Sequence, residues 1–112
     1  MEKARKAFKD EDYKWCIIKA YYSMFHVAKS VLFKLGYSKK RHIAVLIVLE
    51  DLERKGEISS EFITDFKASM TSREDADYHY SYSKEIAEHE IKTAEGFLDE
   101  IECFMKKRYD KK

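Results

Sequence analysis

The chain has 112 residues, of which 45% are hydrophobic and 38% charged, with three glycines and no proline. This length corresponds to one domain, residues 1–112, and the scarcity of glycine and proline favours helices with one solvated face. The 22 basic and 21 acidic residues leave a formal net charge of +1. That balance excludes a strong basic field over the whole protein for binding nucleic acid.

The cysteines and the apolar stretches indicate the environment of the protein. Cys16 and Cys103 have no metal-ligand spacing and no secretory segment is present. We therefore expect reduced thiols, no bound metal and a cytoplasmic location. The longest apolar stretch, residues 15–35, contains Lys19 and Lys29, so it is interpreted as a core helix and no membrane contact is expected.

The first third of the chain predicts a short helix followed by a long one. Residues Glu2–Lys9 fit a short helix, and Asp12 is a suitable N-cap for a second helix over about Tyr13–Leu35. Apolar residues occupy most sides of the second helix, which is typical of a helix with several neighbours. Gly36 has the position of a glycine that ends a helix.

A third helix is predicted over about His42–Lys55, with Gly56 closing it. Acidic and basic residues alternate with its apolar ones, so one side is expected to face water. The residues predicted to face inward are Ile43, Leu46, Ile47, Leu49 and Leu52.

Two further helices complete the predicted fold. Ser59 or Ser60 is a suitable cap for the fourth helix, whose apolar face continues into Arg73 and Asp77. The fifth runs from about Ser83 to Lys107, with an apolar stripe at a period near 3.5. This stripe consists of Ala87, Ile91, Ala94, Leu98, Ile101 and Met105. The pattern predicts an all-α protein, an antiparallel up-and-down four-helix bundle with a short extra N-terminal helix.

Arg73 and His79 are the first candidates for chemistry, separated by five residues. An arginine binds a phosphate through two parallel hydrogen bonds, and a neutral imidazole exchanges a proton near pH 7. A six-residue step on a continuous helix rotates by about 240°, so the two converge only if the helix ends or distorts between them. The alternative is that Arg73 forms a structural ion pair with Asp77 while His79 is a loop residue.

Two other groups of residues are candidates for binding. Tyrosines near the end of the fourth helix suit stacking on unpaired bases, or equally covering one end of the bundle or a subunit interface. These are Tyr78, Tyr80 and Tyr82. The basic run Lys40-Arg41-His42 precedes the third helix. It fits either an anion site at a helix N-terminus or a solvated loop.

Two segments of the sequence resemble the HEPN superfamily (higher eukaryotes and prokaryotes nucleotide-binding). The first is Ala20-Tyr21-Tyr22-Ser23-Met24-Phe25-His26, and the second is Arg73 followed by Ala76-Asp77-Tyr78. The resemblance covers almost the whole chain and implies a helical bundle, usually a homodimer with a cleft between its subunits. Many members carry an arginine, four to six residues and a histidine, a pattern that Arg73 and His79 match, and act as metal-independent endoribonucleases.

The resemblance implies two alternative functions. In the first, the protein is the toxin-like component of a pair with a minimal nucleotidyltransferase and cleaves RNA. Without any cofactor, His79 takes the proton of a ribose 2′-hydroxyl while Arg73 holds the scissile phosphate. In the second, the protein is a non-catalytic nucleotide-binding or accessory subunit that docks the nucleotidyltransferase. The residues expected to bind substrate or nucleotide are Asp77, Tyr78, Tyr80, Lys40, Arg41 and His42. A third alternative is a domain that serves dimerisation alone.

Overall fold

The computed structural model describes residues 1–34, 36, 42–80 and 82–109, and these residues form five helices and no strand. The helices are α1 (Glu2–Lys9), α2 (Tyr13–Lys34), α3 (His42–Arg54), α4 (Ser60–Tyr78) and α5 (Lys84–Tyr109). The all-helical prediction is therefore confirmed. Within these ranges, no helix has the length and apolarity that crossing a membrane requires.

The central helix of the molecule is α2, which contacts each of the other four helices. Its start agrees with the predicted cap, because Asp12 Oδ1 accepts a hydrogen bond from the Trp15 backbone N–H at 3.4 Å. Beyond its end, Gly36 has a φ of +95°, a left-handed conformation that glycine adopts without steric cost. Sequence periodicity and end signals together determine this helix.

The helices α4 and α5 run antiparallel. Phe62, in the first turn of α4, stacks on Phe97 with ring centroids 4.2 Å apart. Further along α4, Ser69 hydrogen-bonds Glu90, which lies closer to the start of α5. Residues later in α4 therefore contact residues earlier in α5.

The helix α4 is also antiparallel to α2. Phe66 lies 5.8 Å from Tyr21 between ring centroids, and Tyr80, just beyond α4, lies against Lys14 at the start of α2. Since α4 opposes both neighbours, α2 and α5 run in the same direction. The strictly alternating four-helix bundle is therefore not confirmed by the described contacts.

In α3, the prediction for Ile47 is wrong. The buried side chains of this helix include Val45, Val48, Leu49 and Leu52, whereas Ile47 is 57% exposed. Positions two residues apart on a helix are separated by about 200° around its axis. Ile47 is two positions from both Val45 and Leu49, so it cannot share their face. The prediction assigned Ile47 to the core because its side chain is apolar, but other helices cover only one face of α3.

The buried face of α5 contains two residues absent from the predicted stripe. It comprises Ala87, Glu90, Ala94, Phe97 and Ile101. Because α5 is covered by α1, α2 and α4, its buried face is wider and shifted from the stripe that apolar residues alone define. Phe97 and the carboxylate of Glu90 thus lie in the interior.

Candidate functional site

Arg73 lies where α4 packs against α2. Its guanidinium carbon Cζ is 5.6 Å from the ring centroid of Tyr21, 5.9 Å from that of Tyr22 and 5.8 Å from that of Tyr78. Only 11% of the arginine side chain is exposed. These residues, together with Asp77, are called the Arg73 cluster below.

The Arg73 cluster keeps its arginine charged. Burial by itself lowers the pKa of Arg73, but the hydrogen bond with Tyr78 and the hydroxyls of Tyr21 and Tyr22 outweigh it, so the pKa lies above its usual value. Burial raises the pKa of the Tyr21 phenol, although Arg73 opposes that rise. The cluster is therefore a cation enclosed by neutral aromatic rings, an arrangement that stabilises a partly desolvated guanidinium.

The predicted ion pair is present at the edge of this cluster. Arg73 Nη1 lies 3.6 Å from Asp77 Oδ2, and the Asp77 side chain is 37% exposed. The Arg73 Nε is buried and has no hydrogen-bond partner among the described residues. With three rings around it and a carboxylate beside it, the guanidinium offers little open surface to a phosphate.

The structure does not bring His79 and Arg73 together within one subunit. The helix α4 continues through Tyr78, and His79 follows as its C-cap, with its N–H donating to the Asp75 carbonyl at 3.1 Å. The helix ends only at Tyr78, and the His79 backbone keeps right-handed helical angles, so the six steps from Arg73 direct the two side chains to different sides. The His79 side chain is exposed.

The three tyrosines near the end of α4 are exposed. Tyr78 is 67% exposed, Tyr80 is 72% exposed and Tyr82 is 45% exposed. Tyr80 has a φ of +53°, a left-handed conformation that is uncommon for a large side chain. Its ring lies 5.0 Å from Lys14 Nζ, which also lies 5.9 Å from the ring of Trp15. Lys14 therefore links the exposed rings of Tyr80 and Trp15.

The predicted basic site has no described counterpart. Lys40 and Arg41 lie outside the described residues, and His42 is the first residue of α3. The anion site at this helix start therefore stays a prediction. Across the described ranges, no group of three or more histidine, cysteine or acidic side chains is arranged to hold a metal ion.

Comparisons with known proteins show the family of this chain. The family model described as the HEPN domain matches residues 1–104. The chain belongs to the HEPN family. It is similar to a UPF0332 protein of Archaeoglobus fulgidus, with 29% identity over 100 residues that cover 88% of this chain and 80% of that protein. In this HEPN domain, the two segments that carry the resemblance meet in the Arg73 cluster.

A second polar group in the HEPN domain lies inside the contact between α4 and α5. Glu90 is only 2% exposed, and its Oε2 accepts a hydrogen bond from Ser69 Oγ at 2.5 Å. Burial raises the pKa of Glu90, and hydrogen bonds from Ser69 and Ser72 only partly oppose this. Sequence reasoning missed this group, although Glu90 lies three residues after Ala87 and four before Ala94, in phase with the buried face.

Cys16 of the HEPN domain is an unreactive core residue. It is fully buried, and burial together with the charges of Asp12 and Glu90 raises the pKa of its thiol to about 11. Since the thiolate is the nucleophilic form, Cys16 has no part in chemistry near pH 7. The other cysteine, Cys103, is exposed.

A groove of about 630 Å³ runs along α2 beside the Arg73 cluster of the HEPN domain. Trp15 and Tyr22 contribute aromatic walls, Lys3, Lys19 and His26 contribute basic groups, and Glu2 contributes one carboxylate. Such a lining can hold a planar ring and an attached anionic group. The shared wall, Tyr22, connects this groove with Arg73.

Proposed function

We propose that this HEPN protein is a non-catalytic accessory subunit. The observation that carries this proposal is the enclosure of Arg73 by three tyrosine rings and Asp77, while His79 lies on another side of α4. Metal-independent RNA cleavage needs a phosphate-binding cation and a proton acceptor around one ribose. Those two groups are separate within one subunit, whereas the exposed tyrosines remain available for binding.

The partner of this subunit is a minimal nucleotidyltransferase, following the family resemblance. Arg73 serves docking indirectly, because its ring contact and its ion pair orient Tyr78 and Asp77 at the end of α4. The aromatic and basic groove beside Tyr22 supports binding of a nucleotide in the complex.

We further propose a symmetric homodimer in which exposed apolar side chains are covered. Phe33 is 47% exposed and Ile47 is 57% exposed, and large apolar residues on a surface favour self-association. Light scattering at 50 µM protein is expected to give twice the chain mass of 13.4 kDa. The variant Ile47→Lys should then lower the average mass, and a wild-type protein that remains at one chain mass would contradict the dimer.

A second candidate function is a metal-independent endoribonuclease, the toxin-like component of the pair. The observation favouring it is the exposed His79 between Tyr78 and Tyr80, whose rings suit stacking on unpaired bases. In that case, His79 deprotonates a 2′-hydroxyl, which attacks the adjacent phosphorus and expels the 5′-oxygen, leaving a 2′,3′-cyclic phosphate. The phosphate-binding cation would then be supplied across the dimer.

One experiment separates the two candidates. The accessory function predicts that the purified protein leaves labelled single-stranded RNA intact in EDTA and forms a complex with a minimal nucleotidyltransferase of the same genome, detected by light scattering. Cleavage that His79→Ala abolishes at an unchanged melting temperature would overturn it in favour of the nuclease. The matched control is His89→Ala, because His89 is an exposed histidine of α5.

A further inference from the structure

The α1–α2 turn and the connection between α4 and α5 meet at one end of the molecule. The contact that joins them is Lys14 Nζ over the ring of Tyr80, at 5.0 Å. The same ammonium group lies 5.9 Å from the ring of Trp15. Residues of α2 and the residue that follows the C-cap of α4 therefore lie together, and the surface around Lys14, Trp15 and Tyr80 is called the acidic–aromatic end below.

The aromatic side chains of this end are unusually exposed. Four large rings, between 45% and 72% exposed, belong to it: Trp15, Tyr78, Tyr80 and Tyr82. A single exposed ring on a protein surface has no significance, but adjacent exposed rings mark a surface that is covered by a partner. Tyrosine and tryptophan are also the residues that most often dominate binding energy at such surfaces.

The charge of the acidic–aromatic end is negative. Asp10-Glu11-Asp12 forms the turn beside the rings, and Glu74, Asp75 and Asp77 lie on the last turns of α4. The basic residues at this end are Lys9, Lys14, Arg73 and Lys84, of which Lys14 lies over two rings and Arg73 is enclosed in its cluster, so the six acidic residues outnumber them. This potential repels phosphates and attracts cationic side chains.

We propose that the acidic–aromatic end binds a segment of a partner protein rich in lysine and arginine. The proposal rests on the accessory function above and names the chemistry of its partner. Carboxylates pair with the incoming cations, and the tyrosine and tryptophan faces accept the same cations through cation–π contacts. Lys14 makes such cation–π contacts with the rings of Trp15 and Tyr80 within the chain.

Charge complementarity selects this occupant over two others. A second copy of the chain meeting the same surface across a two-fold axis would oppose like charges, so the homodimer uses another face. A single strand of RNA would find rings for stacking but carboxylates facing its phosphates. A basic segment satisfies both the rings and the carboxylates.

The test uses a fluorescein-labelled 12-residue peptide that repeats Arg-Leu-Lys-Ala, with fluorescence anisotropy as the readout. Binding at 20 mM salt should weaken at least tenfold at 300 mM salt, because the charge attraction is screened. The same peptide with glutamate replacing every basic residue, and a 12-nucleotide single-stranded RNA, should not bind. Binding of the RNA in preference to the basic peptide would overturn the proposal.

Variants locate the site. Tyr80→Ala should weaken peptide binding about fivefold or more, whereas Phe104→Ala, at a half-buried aromatic residue near the far end of α5, should leave it unchanged. Neutralising Glu11 and Glu74 together as glutamines should weaken it by a similar factor. The control for that charge change is Asp99→Asn with Glu102→Gln, two exposed acids of α5. Melting curves verify that each variant is folded.

Failure of this inference is distinguishable from failure of the accessory function. If the complex with the nucleotidyltransferase persists both in Tyr80→Ala and in the Glu11/Glu74 double variant, docking is upheld, but the acidic–aromatic end is not the docking site. Peptide binding that is equal in all variants overturns the assignment to this end as well. If the basic peptide binds as expected and the nucleotidyltransferase does not, the chemistry of the surface is upheld and the identity of the partner is wrong.

Discussion

Replacing Glu90 with glutamine is expected to stabilise the protein at neutral pH by an amount on the order of 1–2 kcal/mol. Glu90 is 2% exposed, and its carboxyl group lies between α4 and α5. Ionising such a group costs free energy that a neutral amide avoids. The amide oxygen of glutamine can still accept the hydrogen bond from Ser69 Oγ, so the contact between the helices is kept.

The wild-type protein should lose stability as the pH rises. Burial raises the pKa of Glu90 above its ordinary value of 4.5, so the folded state binds the proton more tightly than the unfolded state. The nearby His89 opposes this rise, while Asp65 adds to it. The protonated carboxyl group of Glu90 contributes its full stabilisation below pH 4.5. That stabilisation disappears as the pH rises through the raised pKa that Glu90 has in the folded state.

Urea denaturation measured between pH 4 and pH 8 tests this expectation. The difference in unfolding free energy between Glu90→Gln and wild type should grow in favour of the variant as the pH rises. Glu88→Gln is the matched control, because its side chain is 54% exposed and pairs with Lys92 only at 3.9 Å. A Glu90→Gln protein that is less stable than wild type at pH 7 would show that the ionised carboxylate stabilises this contact.

Replacing Arg73 with alanine should destabilise the protein by about 2–3 kcal/mol. The change removes a guanidinium that lies within 6 Å of three ring centroids, and it leaves a gap between α2 and α4. Asp77→Ala should cost less than about 0.5 kcal/mol, because its contact is 3.6 Å long and Asp77 is 37% exposed. The rings, not the ion pair, account for the larger effect.

Thermal and urea unfolding of the two single variants and the double variant measure these contributions. A coupling energy near zero in the double-mutant cycle is expected. Arg73→Lys should fall between wild type and Arg73→Ala, since lysine keeps the charge without the planar group that stacks on Tyr21 and Tyr22. If Asp77→Ala were as costly as Arg73→Ala with strong coupling, the ion pair would be the dominant contact.

Local signals in the sequence predicted the elements of this fold well. The bounds of α1 agree with the prediction, and the cap at Asp12 and the turn at Gly56 are found where the sequence indicates them. Such signals depend on a few neighbouring residues, so the sequence contains them directly. The residue segments carrying the HEPN resemblance were likewise sufficient to identify the family.

Features that depend on contacts between distant residues were not predictable in the same way. Arg73 and Tyr21 are 52 positions apart, and their contact depends on how α4 crosses α2. Tyr21 lies on the largely apolar helix α2 and is fully buried, but nothing local indicated that its ring would cover a guanidinium. The burial of Glu90 was also not predictable from local signals. Its charge favours a position in solvent, whereas its place between Ala87 and Ala94 favours the interior.

The two cysteines provide the protein with a natural pair of chemical reporters. Cys103 is exposed and accessible to a maleimide or a disulfide reagent, whereas Cys16 is buried with a thiol pKa of about 11. A reagent can therefore reach Cys16 only when α2 separates from its neighbours. The chain thus has one site for attaching a probe and a second whose slow modification records the opening of its own core.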